Sequence, residues 1–427
     1  MQTVLNGKSH TNGVYHHRKP LDILFLTPRF PFPLYGGDRI KSYHLLKHLA
    51  HRNNVTLVTF NHRRLPSPEQ LAAIRDLGIE LHTIVLNPVK AGMRCVASMI
   101  NGKPLEIAFY NQPEFANVVD QLCRERQFDL GISFFMRTAE YIKYKSFPKI
   151  LIAEDCRTMY QSRSYQASDS LKQKLIRWWE VKKLREYEPD VTRYFDKTTL
   201  VTHDDIEGMR KQNPAAQYRL LTNGVELDTF APNYNQEQRS GLLFSGKLDV
   251  WANEMMVKKI ANELMPIIQK EIPSVTFSIV GTSPSSLVNK LQNDHIKVYP
   301  NVPRMQDYMQ SAAIFLHPHQ GGSGIQNKIL QAMACACPVV TTPTGIQGIP
   351  VEHGRDVLIG TTDEEIIAHV LFLLRNPHER DRLARNAREI VERYHSWESI
   401  YKSFDSIIDE LFIETDHHNH DARYYKK

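Results

Sequence analysis

The chain has 427 residues, 42% of them hydrophobic and 23% charged, and a formal net charge of +6. It reads as ordinary globular protein with two or three domains, each long enough to bury its own core. The mild positive excess fits an acidic ligand or an anionic surface; no RNP-like, zinc-finger or helix-turn-helix pattern accompanies it, so nucleic acid is not an expected partner.

Residues 1–20 are polar, lack the apolar segment of a signal peptide, and are expected to be disordered. Leu21 to Leu26 is a buried first strand. It runs into a loop, Thr27-Pro28-Arg29-Phe30-Pro31-Phe32-Pro33-Leu34-Tyr35-Gly36-Gly37-Asp38, that its prolines hold extended. Gly36-Gly37 then turns into a helix from Arg39 to Ala50, with Ile40, Tyr43, Leu46 and Leu49 expected inward. A rigid loop of this length at a strand's carboxyl end reads as one wall of a site rather than a plain connector.

Strands at Val55–Phe60, Leu81–Leu86, Leu130–Phe135 and Ile150–Ala153 alternate with helices at Pro68–Leu77 and Phe115–Arg126, the rhythm of a parallel α/β sheet. Asp155 and Arg137 are further site candidates, although an Asp at a strand end also reads as a cap. Ser168 to Glu188 is a long helix in which Lys172, Lys174, Arg177, Lys182, Lys183 and Arg185 flank Trp178-Trp179. Such a helix fits a membrane surface; Glu180, Glu186 and Glu188 dilute its basic face and favour a solvated helix with both tryptophans docked on their own domain. Thr198–Thr202 reads as the last strand of this half. Asp204-Asp205 looks like a metal pair but fits a helix N-cap better.

The second half repeats the rhythm. Leu242–Phe244 runs into Ser245-Gly246-Lys247, and a helix spans Glu254–Lys270. The strand Val275–Val280 ends in Gly281-Thr282, and Ile296–Tyr299 is the next strand, followed by a short helix at Met305–Ser311. Ala312–Leu316, closed by His317-Pro318-His319, leads into Gly321-Gly322-Ser323-Gly324-Ile325-Gln326-Asn327-Lys328-Ile329-Leu330-Gln331-Ala332-Met333-Ala334 and a strand at Pro338–Thr342. Three glycines in four residues let a ligand approach the backbone. The helix-start amides face an anion in the crevice, and Lys328 adds a cation. Helices at Asp363–Arg375, Arg380–Tyr394 and Ile400–Phe412 follow. Two α/β halves therefore face each other across a cleft, the expected ligand site. Gly246-Lys247, Gly281 and Gly322 to Gly324 would converge on one ligand with phosphates.

Five cysteines make an odd count without metal spacing and are expected as reduced thiols in a cytoplasmic protein. No apolar run is long enough to span a bilayer. Residues 415–427 are polar and expected to be disordered; His417, His418 and His420 within them fit a solvated tail better than a metal site.

Several of these segments resemble the retaining glycosyltransferases of family 4, which have the GT-B architecture. Thr222-Asn223-Gly224-Val225-Glu226-Leu227-Asp228-Thr229-Phe230 resembles the family's interdomain segment. Phe244 to Lys247 resembles its phosphate turn, and Val275 to Gly281 its strand-into-glycine segment. Gly322 to Ala334 with Pro338-Val339-Val340 resembles its donor loop and helix; Thr344 to Ile349 with His353 to Leu358 resembles the stretch after it. The match covers residues 220–400 well and is weaker before them. The loop form G-S-G-I-x-x-K is most similar to a branch that assembles exopolysaccharide and surface glycans.

The resemblance implies two facing Rossmann-like domains with parallel sheets. Residues 21–220 would be the acceptor domain, completed by a C-terminal helix at about 397–414, and 221–396 the nucleotide-sugar donor domain. It implies transfer of a sugar from a nucleotide-diphosphate donor to the hydroxyl of a glycan, lipid-linked or small-molecule acceptor, with retained anomeric configuration. No metal or other cofactor is required, and a peripheral contact at the inner membrane face is compatible. Lys247, Lys328 and Arg39 are the implied catalytic cations; Gly246, Gly281, Gly322, Ser323, Gly324, Ile325 and Gln331 the donor-binding set; Gly36, Gly37, Asp155 and Arg137 the acceptor and phosphate side. Ser323 and Gln331 stand where the family carries two glutamates, and Trp251-Ala252-Asn253 where it carries a lysine. A catalytically weak partner protein and a sugar-nucleotide epimerase are the alternatives; the missing carboxylates count against the epimerase.

Overall fold

The computed structural model describes residues 19–34, 36–62, 65–166, 170–233, 239–319, 321 and 324–424, with the last helix's side chains described through 413. Tyr35, Gly322, Ser323 and residues 168–169 lie outside that set, as does all but the end of the 1–20 segment expected to be disordered.

The first domain comprises β1 (Asp22–Thr27), α1 (Gly37–Ala50), β2 (Asn54–His62), α2 (Pro68–Arg75), β3 (Glu80–Leu86), α3 (Pro88–Asn101), α4 (Leu105–Tyr110), α5 (Pro113–Glu125), β4 (Leu130–Phe134), β5 (Lys149–Glu154), α6 (Arg157–Gln166), α7 (Leu171–Val191), β6 (Lys197–Leu200), α8 (His203–Gln212) and β7 (Tyr218–Leu220). Its strands form one parallel sheet in the order β3-β2-β1-β4-β5-β6-β7. The second comprises β8 (Ser240–Lys247), α9 (Trp251–Lys259), α10 (Met265–Glu271), β9 (Phe277–Thr282), α11 (Ser286–Asn289), β10 (Ile296–Pro300), α12 (Met305–Ser311), β11 (Ala312–His317), α13 (Asn327–Ala334), β12 (Val339–Thr341), β13 (Leu358–Ile359), α14 (Asp363–Arg375) and α15 (Pro377–Tyr394). Its sheet is also parallel, in the order β10-β9-β8-β11-β12-β13.

Both sheets are doubly wound, and the strand order reverses between β1 and β4 and between β8 and β11. Ligand crevices form at such points. The two glycine-rich loops follow β1 and β11, so each opens at its domain's switch point. The central strands are apolar along their length because helices cover both faces of a parallel sheet; Ile23, Leu24, Phe25 and Leu26 are all fully buried.

The chain crosses between the domains twice. Leu221 lies in the first domain's core and Val225 in the second's. The return passes His395 and Ser396, where Val225 N donates to His395 O at 2.8 Å. Gly224 fits because a Cβ there would lie 2.6 Å from the Trp397 ring. α16 (Trp397–Tyr424) then packs Trp397, Ile400, Phe404, Ile407 and Leu411 into the first domain's core. Each such buried side chain is worth about 1.5–3 kcal/mol.

Four expectations need correction. Thr198–Thr202 is not the last strand of its half: β7 follows it at the sheet edge. α1 buries a wider face than expected: Leu46 and Leu49 are buried and Ile40 and Tyr43 pack against the same core, as read from the sequence, but two polar residues join them. Lys41 and His44 are buried while Ile40 and Tyr43 are half-buried, because Lys41 pairs with Glu154 and His44 stacks on Trp397 at 3.9 Å. The segment 415–424 continues α16 as helix rather than lacking structure; 425–427 lie outside the described residues. Trp178 is not docked on its own domain but 49% exposed. All five cysteines are free thiols.

Candidate functional site

The second domain's wall starts from two paired glycines. Gly246, next to last in β8, lies opposite Gly281 of β9. A Cβ on Gly281 would overlap the Gly246 carbonyl oxygen, so only glycine permits this backbone approach. A Cβ on Gly246 would lie 3.1 Å from Asn253 Nδ2 and 3.3 Å from Lys328 Nζ. The glycine turn, Asn253 and Lys328 therefore form one cluster. Lys328 Nζ donates to Asn253 Oδ1 at 2.6 Å and lies 5.1 Å from the centre of the buried Phe244 ring. Desolvation by burial lowers the Lys328 ammonium to a pKa of about 8. An ammonium with one acceptor and an apolar neighbour has two N–H groups left for an anionic ligand.

The loop above this cluster is held by Ile325, buried in one cluster with Val201 of the first domain. Gly324 takes φ +76°, a left-handed conformation that L side chains rarely adopt. α13 begins at Asn327 with no side-chain cap; Ile329 N donates to Gln326 O at 2.9 Å, while the N–H groups of Asn327 and Lys328 have no partner among the described residues. Gln331 is half-buried, and its side chain makes no hydrogen bond among the described residues.

Beneath the loop lie two buried imidazoles that sequence reasoning passed over. Among the described residues neither ring nitrogen of His317 has a hydrogen-bond partner, nor has Nε2 of His319. Burial, and then the Lys328 charge, pushes His319 down to about 4 and His317 well below its ordinary value. Both stay neutral and add no competing charge. The only signal was His-Pro-His at a strand end beside a glycine loop.

The first domain supplies the opposite wall. Gly36 takes φ +95° ahead of α1. Gly37 abuts Asn327, leaving no room for a Cβ, and Asn327 Oδ1 accepts from Asn223 Nδ2 at 3.0 Å. The two glycine-rich loops thus meet at Gly37 and Asn327. Arg39 is half-buried and makes no ion pair among the described residues. Gln347 closes the domains farther out: its Nε2 donates to Asp204 Oδ2 at 2.7 Å, and its Oε1 accepts from Arg163 at 3.1 Å.

Other sequence candidates are engaged elsewhere. The Lys247 side chain is 61% exposed and pairs with Asp249 at 3.3 Å, while its carbonyl accepts from Asn253 Nδ2 at 2.8 Å. Arg137 donates to Glu106 at 3.1 Å and lies over the Phe135 ring. Asp155 pairs with Arg157 at 3.2 Å, and Arg157 also grips Glu106. Burial would raise the Glu106 carboxyl, but the two guanidinium groups outweigh it and hold it at about 2. Asp204 and Asp205 diverge: Asp205 is buried, accepts from Cys156 N at 3.0 Å, and is capped by Thr202.

Lys41 and Glu154 form a buried ion pair at 2.6 Å, and Lys41 also donates to Leu221 O at 2.6 Å. This residue ties α1, β5 and the first domain crossing together. Glu154 and Phe135, at the ends of β5 and β4, take φ +71° and +65°. Non-glycine residues in that region mark backbone held by its surroundings beside a crevice.

Residues 239–376, the whole phosphate-turn and loop region, match the family described as glycosyl transferases group 1. The chain is 20% identical over 265 residues to an uncharacterized 44.6 kDa protein in the cps region of Klebsiella pneumoniae, covering 60% of this chain and 67% of that one. It is 24% identical over 105 residues to an uncharacterized glycosyltransferase of Methanocaldococcus jannaschii, or 24% of this chain and 27% of that one. Among solved structures it is similar to sucrose-phosphate synthase from Thermosynechococcus elongatus, with TM-score 0.67, 16% identity, and 93% and 100% of the two chains covered. It is also similar to Anabaena HepE in complex with UDP and glucose, with TM-score 0.64, 13% identity, and 91% and 99% covered. The fold is that of GT-B glycosyltransferases: two parallel-sheet α/β domains of seven and six strands.

Proposed function

We propose that this protein is a glycosyltransferase. It moves a sugar from a nucleotide-diphosphate donor to an acceptor hydroxyl, with retained anomeric configuration, in surface or exopolysaccharide glycan assembly. The observation that carries this reading is the cluster of Gly246, Gly281, Asn253 and Lys328 at the switch point of the matched domain, across from Gly37 and Arg39. Backbone without Cβ atoms admits a diphosphate. Lys328 supplies a desolvated, fixed cation where the leaving diphosphate gains charge, and such preorganised charge is the largest single source of catalysis in many enzymes. Arg39 is assigned to the phosphates or acceptor from the opposite wall. The cps-region relative supports a surface-glycan role, and the UDP bound to HepE makes UDP-sugars the first donors to test.

The test is incubation with UDP-glucose and with GDP-mannose in the presence of glycan and lipid-extract acceptors. Nucleoside diphosphate release that depends on acceptor, with an unchanged anomeric configuration in the product, supports the reading; an inverted product overturns retention.

One observation favours a second reading. Gln331 carries no charge where family 4 carries a glutamate, and its side chain is unengaged among the described residues. A catalytically weak partner protein would bind nucleotide without turnover in the same assay.

A further inference from the structure

Among the described residues, two helices of the first domain carry runs of exposed apolar side chains. In α3, Val89 is 69% exposed, Met93 61%, Val96 67% and Ile100 88%. Their spacing puts all four on one side of the helix. The other side buries Ala91 and Ser98. This helix is well built: Asn87 caps it through Val89 N and Lys90 N, and Pro88 starts it. Its apolar stripe therefore faces outward on a formed helix. In α7, Leu171 is 85% exposed, Leu175 67% and Trp178 49%, again on one side, while Glu180, Leu184 and Tyr187 bury the other. The two helices meet where α3 ends. A Cβ on Gly102, which ends α3, would lie 3.3 Å from Lys183 Nζ, and Glu180 accepts from the N–H groups of Leu105 and Glu106 at 2.9 Å.

Charge selects what covers this face. Residues 87–103 hold three basic and no acidic residues, and residues 171–186 hold six basic and two acidic. Together these stretches carry an excess of seven positive charges, against +6 for the whole chain, so the remainder is slightly acidic. Arg94, Lys172, Lys174, Lys182 and Arg185 make no ion pair among the described residues, while Lys90 pairs with Glu114, Lys103 with Glu140 and Lys183 with Glu186. Lys182 lies 5.8 Å from the centre of the Trp178 ring. Protein interfaces are depleted in lysine. Apolar side chains ringed by lysine and arginine, with a tryptophan at the boundary, match a bilayer interface.

We propose that the outward face of α3 and α7 docks on an anionic phospholipid bilayer. The inference is independent of the transferase reading, because it rests on exposure and charge alone. If both hold, the enzyme's first domain rests on the membrane, and hydrogen bonds from Glu180, on the inner side of α7, through Glu106 to Arg137 and Arg157 connect this helix to the strand ends of the cleft.

The test is sedimentation of the full chain with phosphatidylcholine vesicles, with and without phosphatidylglycerol, at low and high salt. Two variants accompany it, Met93→Asp/Ile100→Asp and Lys174→Glu/Lys182→Glu, with melting temperature as the fold control. Each basic residue at an anionic surface is worth about fivefold in affinity. The expected result is binding to anionic vesicles only, released by salt, and reduced at least about tenfold by either variant at unchanged melting temperature. Failure to bind, or equal binding to both vesicle types, overturns the proposal. So does a self-associated wild type that the Met93→Asp/Ile100→Asp variant turns into monomer without any vesicle binding, since the face would then cover a second copy of the chain.

Discussion

Lys328 Nζ donates to Asn253 Oδ1 at 2.6 Å, and Asn253 Nδ2 donates to the Lys247 carbonyl at 2.8 Å. One amide thus fixes both the cation and the turn beneath the proposed diphosphate site. In the proposed site the positive charge comes from α13, with Asn253 as its holder. Replacing Asn253 by alanine removes both bonds. Nucleoside diphosphate affinity is expected to fall about tenfold, roughly 1.4 kcal/mol, by isothermal titration.

The Lys328 pKa of about 8 sets a pH dependence for binding. An anion binds the protonated amine, so affinity should be flat below about pH 8. Above it, affinity should fall by up to about tenfold per pH unit, until the higher pKa of the bound state is reached. Affinity that stays flat through pH 9 would remove Lys328 from the site.

The same burial has an opposite effect on the unliganded fold. The folded pKa lies below the ordinary 10.5, so holding the amine charged costs about 3 kcal/mol. That cost is fully present below about pH 8 and is relieved as pH rises towards 10.5. Lys328→Met is therefore expected to raise the melting temperature at neutral pH while abolishing nucleotide binding, a trade of stability for function. A melting curve with and without nucleotide separates the two effects.

Gly281→Ala tests the glycine seam. Its Cβ would meet the Gly246 carbonyl, a backbone atom that cannot swing aside. A loss of about 3 kcal/mol or more is expected, from backbone strain in adjoining central strands, read by urea denaturation.

The alternation of strands and helices was legible because buried parallel strands are continuous apolar runs. The short edge strand β7, Tyr218-Arg219-Leu220, has no such run; its Arg219 instead pairs with Glu410 in α16 at 2.7 Å, a contact 191 residues away in sequence. The glycine turns and Lys328 were singled out from sequence alone, and the structure brings Gly246, Gly281 and Lys328 into one cluster. Asn253 as the partner of Lys328 was not legible, since nothing local links positions 75 apart. The buried Lys41 was missed for a similar reason: its partner Glu154 lies on a different strand, and periodicity alone assigns a lysine to solvent. α3 was overlooked although its Asn87-Pro88 start and helical apolar spacing were present, because an outward apolar face has no counterpart in a pattern read for core packing.

The most direct test is a thermal-shift titration of the whole chain with UDP, GDP and ADP, repeated with Lys328→Met and after EDTA treatment. A ligand that binds only the folded state must raise the melting temperature with its affinity. One nucleotide should give a clear shift that is lost in Lys328→Met and unchanged by EDTA, since the chain's own cations are assigned to the phosphates. Flat curves for all three nucleotides would contradict the assignment of this cleft as a nucleotide-sugar site.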